Sequence, residues 1–270
     1  MDLAPYFRRI GYDGAREPTL ATLHALTYAH SSSIPFENLD VLLGRRIGLD
    51  EQALFAKLVH GRRGGYCFEQ NGLFLRVLET LGFRVAPLSA RVQLDRPRDY
   101  LPARTHLFVR VELGGETYFT DVGVGSMSLT SALRFEFDRE QVTPHEPRRI
   151  VREAGRYFHQ VKLGAVWNDV CEFTLEEMPP IDREVANWYT STHPDSGFRG
   201  RLIASRAAPE GRRITLLNDE LKTRDASGHA AVTKISDPDA LLHALHTNFG
   251  LAFDAGTRFG TPGEQKPWPM

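Results

Sequence analysis

A chain of 270 residues and 30.4 kDa with 41% hydrophobic residues has enough apolar surface for a substantial core, which suits one large domain or two to three small ones and excludes a disordered polymer. Thirty-three Lys and Arg against thirty-four Asp and Glu, without long runs of one sign, exclude the electrostatic footprint of a nucleic-acid or anionic-membrane binder and point to a small-molecule partner. The two cysteines, Cys67 and Cys171, exclude a disulfide framework and match no zinc-ligand spacing, so no metal is expected.

The N-terminal MDLAPYFRRIGYDG lacks a basic-then-apolar signal, and no stretch approaches the roughly 18 apolar residues of a membrane span, so the expected compartment is the cytoplasm. Leu20, Leu23 and Leu26 follow Pro18-Thr19 at helical spacing, and Leu54, Leu58 and Val59 do the same after Asp50-Glu51. Between these helices the proline in Ile34-Pro35-Phe36-Glu37-Asn38-Leu39 makes an extended or turn segment. A third helix begins near Cys67, carries Leu73, Phe74, Val77, Leu78 and Leu81 on one face, and stops at Gly82. From Phe83 to about Tyr189 the pattern changes to short β runs: Val85 to Leu94, Leu107 to Leu113, Thr117 to Val122, Val161 to Leu163 and Cys171 to Leu175. These predict a small antiparallel sheet or barrel. The tail adds strands over Arg201 to Ser205, Arg213 to Leu217 and Ala231 to Ile235, then a helix from Asp237 through Phe249 with Pro238 in its first turn.

Gly64-Gly65 precedes Tyr66-Cys67, and the apolar helical stripe follows at once. A diglycine turn running into a helix places the thiol at the helix N-terminus, where unpaired N–H groups and the dipole favour thiolate over thiol. A lone cysteine is more commonly a small hydrophobe in a helix, so position alone leaves both readings open.

A hairpin supplies the second half of the argument. The run Thr105 to Leu113 is followed by Gly114-Gly115 and then Glu116 to Asp121, and a Gly-Gly pair between β runs reads as a two-residue loop. Leu113 then faces Glu116, Phe108 faces Asp121 and His106 faces Gly123. Side chains alternate in twos, so His106 and Asp121 share one face as diagonal neighbours, roughly 7 to 8 Å apart along the backbone, within reach of a hydrogen bond. A four-residue loop keeps this arrangement, whereas a three-residue loop puts the two on opposite faces. Singly, His106 reads as a strand-end histidine and Asp121 as a turn former. Together with a helix-start cysteine they supply nucleophile, base and orienter for acyl transfer.

The segments Arg63-Gly64-Gly65-Tyr66-Cys67-Phe68-Glu69-Gln70-Asn71-Gly72, Ile34 to Leu39, Arg104-Thr105-His106 and Asp121-Val122-Gly123 closely resemble bacterial arylamine N-acetyltransferases, in the same order and over nearly the whole chain. The resemblance implies an α+β fold: an N-terminal helical bundle over 1–83 with the cysteine, a central antiparallel β-barrel over 84–190 with the His and Asp, and a C-terminal α/β lid over 191–270. It also implies a cysteine-proteinase-like core with a Cys67, His106, Asp121 triad, and an acceptor pocket lined by Phe36, Val92, Thr105 and Val124. Where the family usually has Asp-Val-Gly-Phe-Gly, this chain has Asp121-Val122-Gly123-Val124-Gly125, which removes an aromatic wall.

The implied reaction is ping-pong transfer from acetyl-coenzyme A to arylamines and aryl hydrazines through an acetyl-Cys67 thioester. Coenzyme A is implied by the resemblance alone, because the chain has neither GxxxxGK[ST] nor GxGxxG. Gly123 and Gly125 either let a ligand approach the backbone or simply turn the chain. For at least one of Arg62 and Arg63 an ion pair or surface solvation is the expected role. Two competing readings use the same residues: a papain- or transglutaminase-like hydrolase, and a non-catalytic binding protein.

Overall fold

The first third of the chain is helical, in shorter pieces than the apolar spacing suggests. A computed structural model describes residues 1–260 and the backbone of the two-residue strand Pro267–Trp268; the rest of the expected lid lies outside the described residues. Helix α1 spans Ala4–Ile10, and α2, Leu20–Ser33, is capped by the Thr19 side chain, which accepts from the Thr22 N–H. The proline-bounded segment forms strand β1, Phe36–Glu37, and helix α3, Leu39–Leu42. Asp50 caps α4, Glu51–Leu54, by accepting from the Ala53 N–H at 2.9 Å, and the chain continues as a π-helical turn over Phe55–His60.

Helix α5, Cys67–Thr80, ends where Gly82 takes φ +86°, a left-handed conformation that glycine adopts without a Cβ penalty. Its predicted stripe is buried: Leu73, Phe74, Val77 and Leu78 are fully enclosed in one cluster with Leu23, Leu26 and Leu58. Each such side chain contributes about 1.5–3 kcal/mol by leaving water, so α5 is held firmly along its length.

Seven antiparallel strands follow: β2 Arg84–Val92, β3 His106–Leu113, β4 Glu116–Thr120, β5 Leu133–Arg134, β6 Arg148–Glu153, β7 Arg156–Leu163 and β8 Val166–Glu177. Their order is β5-β4-β3-β2-β8-β7-β6, and bridges from Phe137 to Ile150 and from Gln141 to Arg148 bring the two edges together into a nearly closed barrel. Phe108, Phe119 and Phe173 fill its interior, with ring centroids 5.0 to 5.7 Å apart. The β3–β4 register is the expected one: Leu113 pairs with Glu116 and Val109 with Thr120 across a two-residue loop. Gly114 and Gly115 both have positive φ, as a primed hairpin turn requires.

Helix α6, Pro180–Thr192, leads into a second sheet ordered β1-β9-β10-β11-β12, with β9 Ile203–Ala207, β10 Arg213–Leu217, β11 Glu220–Arg224 and β12 Ala230–Lys234. Helix α7, Pro238–Phe249, packs Leu241, Leu245 and Phe249 against Leu216 of this sheet, and strands β13, Phe259–Gly260, and β14, Pro267–Trp268, pair beyond it. β1 pairs with β9 as an edge strand of the C-terminal sheet, and Phe36 also bridges to Gly65 just before α5, so that sheet reaches the start of the cysteine helix.

The fold is α+β, with helical, barrel and α/β parts in the expected order. Several elements escape the sequence pattern or exceed it. β7 and β8 extend well beyond Val161 to Leu163 and Cys171 to Leu175, whereas β2 stops at Val92, β4 at Thr120 and β12 at Lys234, and β9 begins at Ile203. α1, α6, β6 and β11 are additions; α1 is short but buries Tyr6, Phe7 and Ile10, whereas the other three have a weak apolar signature. α6 buries only Ala186 and Thr190, β11 has no buried residue, and β6 buries Arg148 and Ile150 among charged neighbours. Among the described residues no helix is long and apolar enough to cross a membrane.

Candidate active site

Cys67 is the first residue of α5 and is 4% exposed. The turn before it depends on absent side chains: a Cβ on Gly64 would lie 2.1 Å from the Pro35 carbonyl oxygen, and one on Gly65 would lie 2.6 Å from the Glu69 carboxylate. The Tyr66 N–H donates to that carboxylate at 3.0 Å, which satisfies an orphan donor at the helix start. Beneath it lies a buried ion network. Lys57 bridges Glu69 at 2.6 Å and Asp40 at 2.8 Å, while Arg63 joins Glu37 at 2.7 Å and Asp40 at 3.2 Å. Arg63 is therefore an ion-pair residue; Arg62 offers its backbone carbonyl to Arg9.

The hairpin delivers His106 and Asp121 to this helix start. His106 Nε2 donates to Asp121 Oδ2 at 2.6 Å, and both residues are 2% exposed. That leaves Nδ1 for the thiol, whose interaction with the imidazole raises the histidine's pKa along with Asp121. The thiol also donates to the Thr105 carbonyl at 3.5 Å. Burial alone would lower His106, but the Asp121 carboxylate and the thiol overcome it and hold the imidazole up to about 10. Burial in turn raises Asp121, and the His106 charge with hydrogen bonds from His106, Asn71 and Gly123 brings it below the ordinary carboxyl range. The pair is an imidazolium–carboxylate couple beside a thiol.

Asn71, one helical turn after Cys67, clamps the arrangement. Its Nδ2 donates to Asp121 Oδ1 at 2.9 Å and to the Leu107 carbonyl at 2.6 Å, and its Oδ1 accepts from the Val122 N–H at 2.9 Å. Gly123 completes the docking, because a Cβ there would sit 2.9 Å from Cys67 Cα and 2.6 Å from Asn71 Nδ2. Sequence reasoning assigned no role to Asn71; its i+4 spacing from Cys67 was the available signal.

The remaining predicted residues fall into two groups. Phe36 packs in one cluster with Cys67, Tyr66 and Leu107, and Gly125, at φ +82°, brings its backbone to the Phe36 ring. Thr105 reaches the thiol through its carbonyl, as above. Val92 and Val124 lie together in a different cluster, with Val161 and Val170, so Val124 fills barrel-side apolar space. Phe198, which the sequence did not single out, stacks obliquely on both Phe36 at 6.1 Å and Tyr66 at 5.7 Å. It arrives because Asn38 receives its loop, donating to the Phe198 and Arg201 carbonyls. Cys171 lies inside the barrel, where burial pushes its thiol well above the ordinary value. Among the described residues no group of three or more His, Cys, Asp or Glu is placed to hold a metal ion.

A family model described as N-acetyltransferase matches residues 19–258. The chain is 50% identical over 255 residues to the arylamine N-acetyltransferase of Mycolicibacterium smegmatis, covering 93% of this chain and 92% of that one. The solved arylamine N-acetyltransferase of M. tuberculosis superposes with a TM-score of 0.89 at 42% identity, covering 92% of this chain and 93% of the other. That of Mycobacterium marinum, solved in complex with CoA, superposes with a TM-score of 0.88 at 38% identity over 92% of each chain. The buried thiol and imidazolium–carboxylate couple thus sit on a fold and a sequence shared over about nine tenths of the chain with acyltransferases, and the chain belongs to the arylamine N-acetyltransferase family.

Proposed function

We propose that this enzyme moves the acetyl group of acetyl-coenzyme A to arylamines and aryl hydrazines by a ping-pong route through an acetyl-Cys67 thioester. The observation that carries the reading is the Cys67 thiol at the start of α5 beside His106, which is itself held by Asp121 at 2.6 Å. His106 takes the thiol proton, the Cys67 thiolate attacks the thioester carbonyl, the carbon–sulfur bond to coenzyme A breaks, and His106 gives that proton to the departing thiolate. The amine nitrogen then attacks acetyl-Cys67, His106 takes the amine proton, and the Cys67 thiolate leaves. Asp121 keeps the imidazole oriented through both halves and stabilises its charged form whenever it holds the proton.

An aromatic amine is largely unprotonated at neutral pH and attacks directly, so acceptor chemistry itself selects arylamines. Phe36 and Phe198 supply aromatic surface next to the thiol, with Thr105, Val92 and Val124 as further pocket residues in this reading. The donor arm is assigned to the bare backbone at Gly123 and Gly125, and the CoA complex of the M. marinum relative supports coenzyme A as the carrier. The test is intact-mass analysis after mixing with acetyl-coenzyme A alone. One acetyl group should appear on the wild type and none on Cys67→Ala, and addition of an aniline should remove it as the acetanilide forms. An unacetylated wild type, or turnover by Cys67→Ala, overturns the covalent route.

A further inference from the structure

The face of α5 that carries Phe68, Gly72, Leu75, Arg76 and Glu79 is not the face that carries Cys67 and Asn71. It lines a groove of about 1230 Å³ whose other walls are the 44–50 loop and α6. The floor is apolar, with Val41, Phe68 and Leu75 almost wholly buried, while Trp188 lines the α6 wall and is 58% exposed. Five arginines line the groove, Arg45, Arg46, Arg76, Arg183 and Arg199, against three carboxylates, Asp50, Glu79 and Glu184.

Among the described residues neither Arg76 nor Arg183 forms an ion pair with the groove's carboxylates. Asp50 is occupied in capping α4 at the Ala53 N–H, and Arg45 is paired outside the groove's own acids, with Asp40. Arg76 is aimed by its bond to the Leu49 carbonyl at 3.2 Å. Arg183 lies close enough to Arg76 to feel its charge, with Glu79 the acid that opposes it, and its Nε is buried without a hydrogen-bond partner. Two guanidiniums held near each other over an apolar floor are poorly satisfied alone and well satisfied by an anion, which a planar guanidinium can grip through two donors at once.

We infer that this groove is a second ligand site, separate from Cys67, for a nucleotide-sized anion bearing a planar ring: the anionic groups sit on Arg76 and Arg183, the ring on Trp188 and the floor. The groove's volume of about 1230 Å³ leaves room for a nucleotide and is far more than a simple anion would fill. Trp188 and the exposed rim give the ring a stacking surface. The inference uses none of the residues assigned to acetyl transfer, and it stands or falls independently of that reaction.

The experiment is a fluorescence titration of the full-length protein with ADP, with Trp188→Phe to assign the signal, and with adenosine and pyrophosphate as probes lacking the charge or the ring. ADP should quench saturably; adenosine and pyrophosphate should each bind at least tenfold more weakly, and Arg183→Gln should weaken ADP at least tenfold. In Arg183→Gln the KM for acetyl-coenzyme A should be unchanged. Equal affinity for ADP and adenosine, or an unaltered ADP affinity in Arg183→Gln, overturns the site. A raised KM for acetyl-coenzyme A in Arg183→Gln overturns its separateness and makes the groove part of the donor site. A dimer in light scattering that dissociates in Trp188→Phe, with no ADP quenching, makes the groove a contact between copies and also overturns it.

Discussion

At Asp121 three donors converge on one carboxylate: His106 on Oδ2, and Asn71 with the Gly123 N–H on Oδ1. Asp121→Asn keeps the shape and removes the charge, so acetylation of Cys67 should slow by orders of magnitude, with about 10⁴-fold the benchmark from serine triads. Rapid-quench mass analysis reads this directly; a drop below tenfold would leave Asp121 a packing residue. The same pair sets a pH dependence of stability. His106 titrates at about 10 in the fold against 6.5 unfolded, so its stabilisation is full below 6.5 and is lost as pH rises through 10. Unfolding free energy of the wild type should fall across that window with a slope of at most about 1.4 kcal/mol per pH unit, and Asp121→Asn should flatten it. Cys171 makes the opposite case. Its thiol is held protonated by burial and faces apolar barrel residues, so Cys171→Ala should leave acetyl transfer nearly unchanged and cost about 1 kcal/mol or less in a urea melt. Loss of turnover without loss of folding would show that Cys171 takes part in the chemistry.

At the scale of elements, the site is a helix start pressed against the open end of a hairpin, and the helix entry and the hairpin turn each need glycine for a different reason. Gly64 has an ordinary backbone but no room, since Pro35 oxygen would lie 2.1 Å from a Cβ; Gly114 has open space but φ +60°. Gly64→Ala should therefore push β1 away from the start of α5, costing about 1–3 kcal/mol and slowing alkylation of Cys67 by iodoacetamide. Gly114→Ala should cost about 1–2 kcal/mol in backbone strain and leave alkylation unchanged. Equal alkylation rates in the two variants would mean that the Pro35 contact does not set the thiol's position. The hairpin itself was legible in advance: an even loop and period-two alternation put His106 and Asp121 on one face, and the observed pairing of Leu113 with Glu116 has that register. β6 was not legible because Arg148 takes one of its two buried positions, and β11 because none of its residues is buried, so neither shows apolar alternation.

Across the whole molecule, the barrel and the C-terminal sheet are joined by a buried charge cluster. Glu146 receives Arg148 from β6 at 2.9 Å and Arg213 from β10 at 2.8 Å, with Arg224 of β11 as a third partner. Arg148 and Arg213 are almost wholly buried, so removing the carboxylate strands two charges in a poor dielectric. Glu146→Gln should cost about 3–5 kcal/mol, whereas Glu116→Gln, whose pair with Arg134 is exposed, should cost far less. Denaturant melts of the two variants compare these directly, and equal losses would mean that Glu146 does not hold the two sheets together.

Local pattern alone determined a good part of this protein: the helical stripe from Leu73 to Leu78, the diglycine entry to Cys67, and the face shared by His106 and Asp121. These follow from periods of 3.6 and 2 and from turn chemistry, which act over a few residues and leave their mark in the chain itself. Family resemblance extended that reading to the three-part fold. Only the tertiary structure decided that the hairpin docks on α5, that Asn71 and the missing Cβ of Gly123 make the docking close, and that Phe198 comes to Phe36 from more than 150 residues away. It also decided that Arg148, in a strand that reads as exposed, is buried against Glu146. Those outcomes depend on which surfaces exclude water together and which buried charges find partners, and no single element's sequence contains its partner's surface.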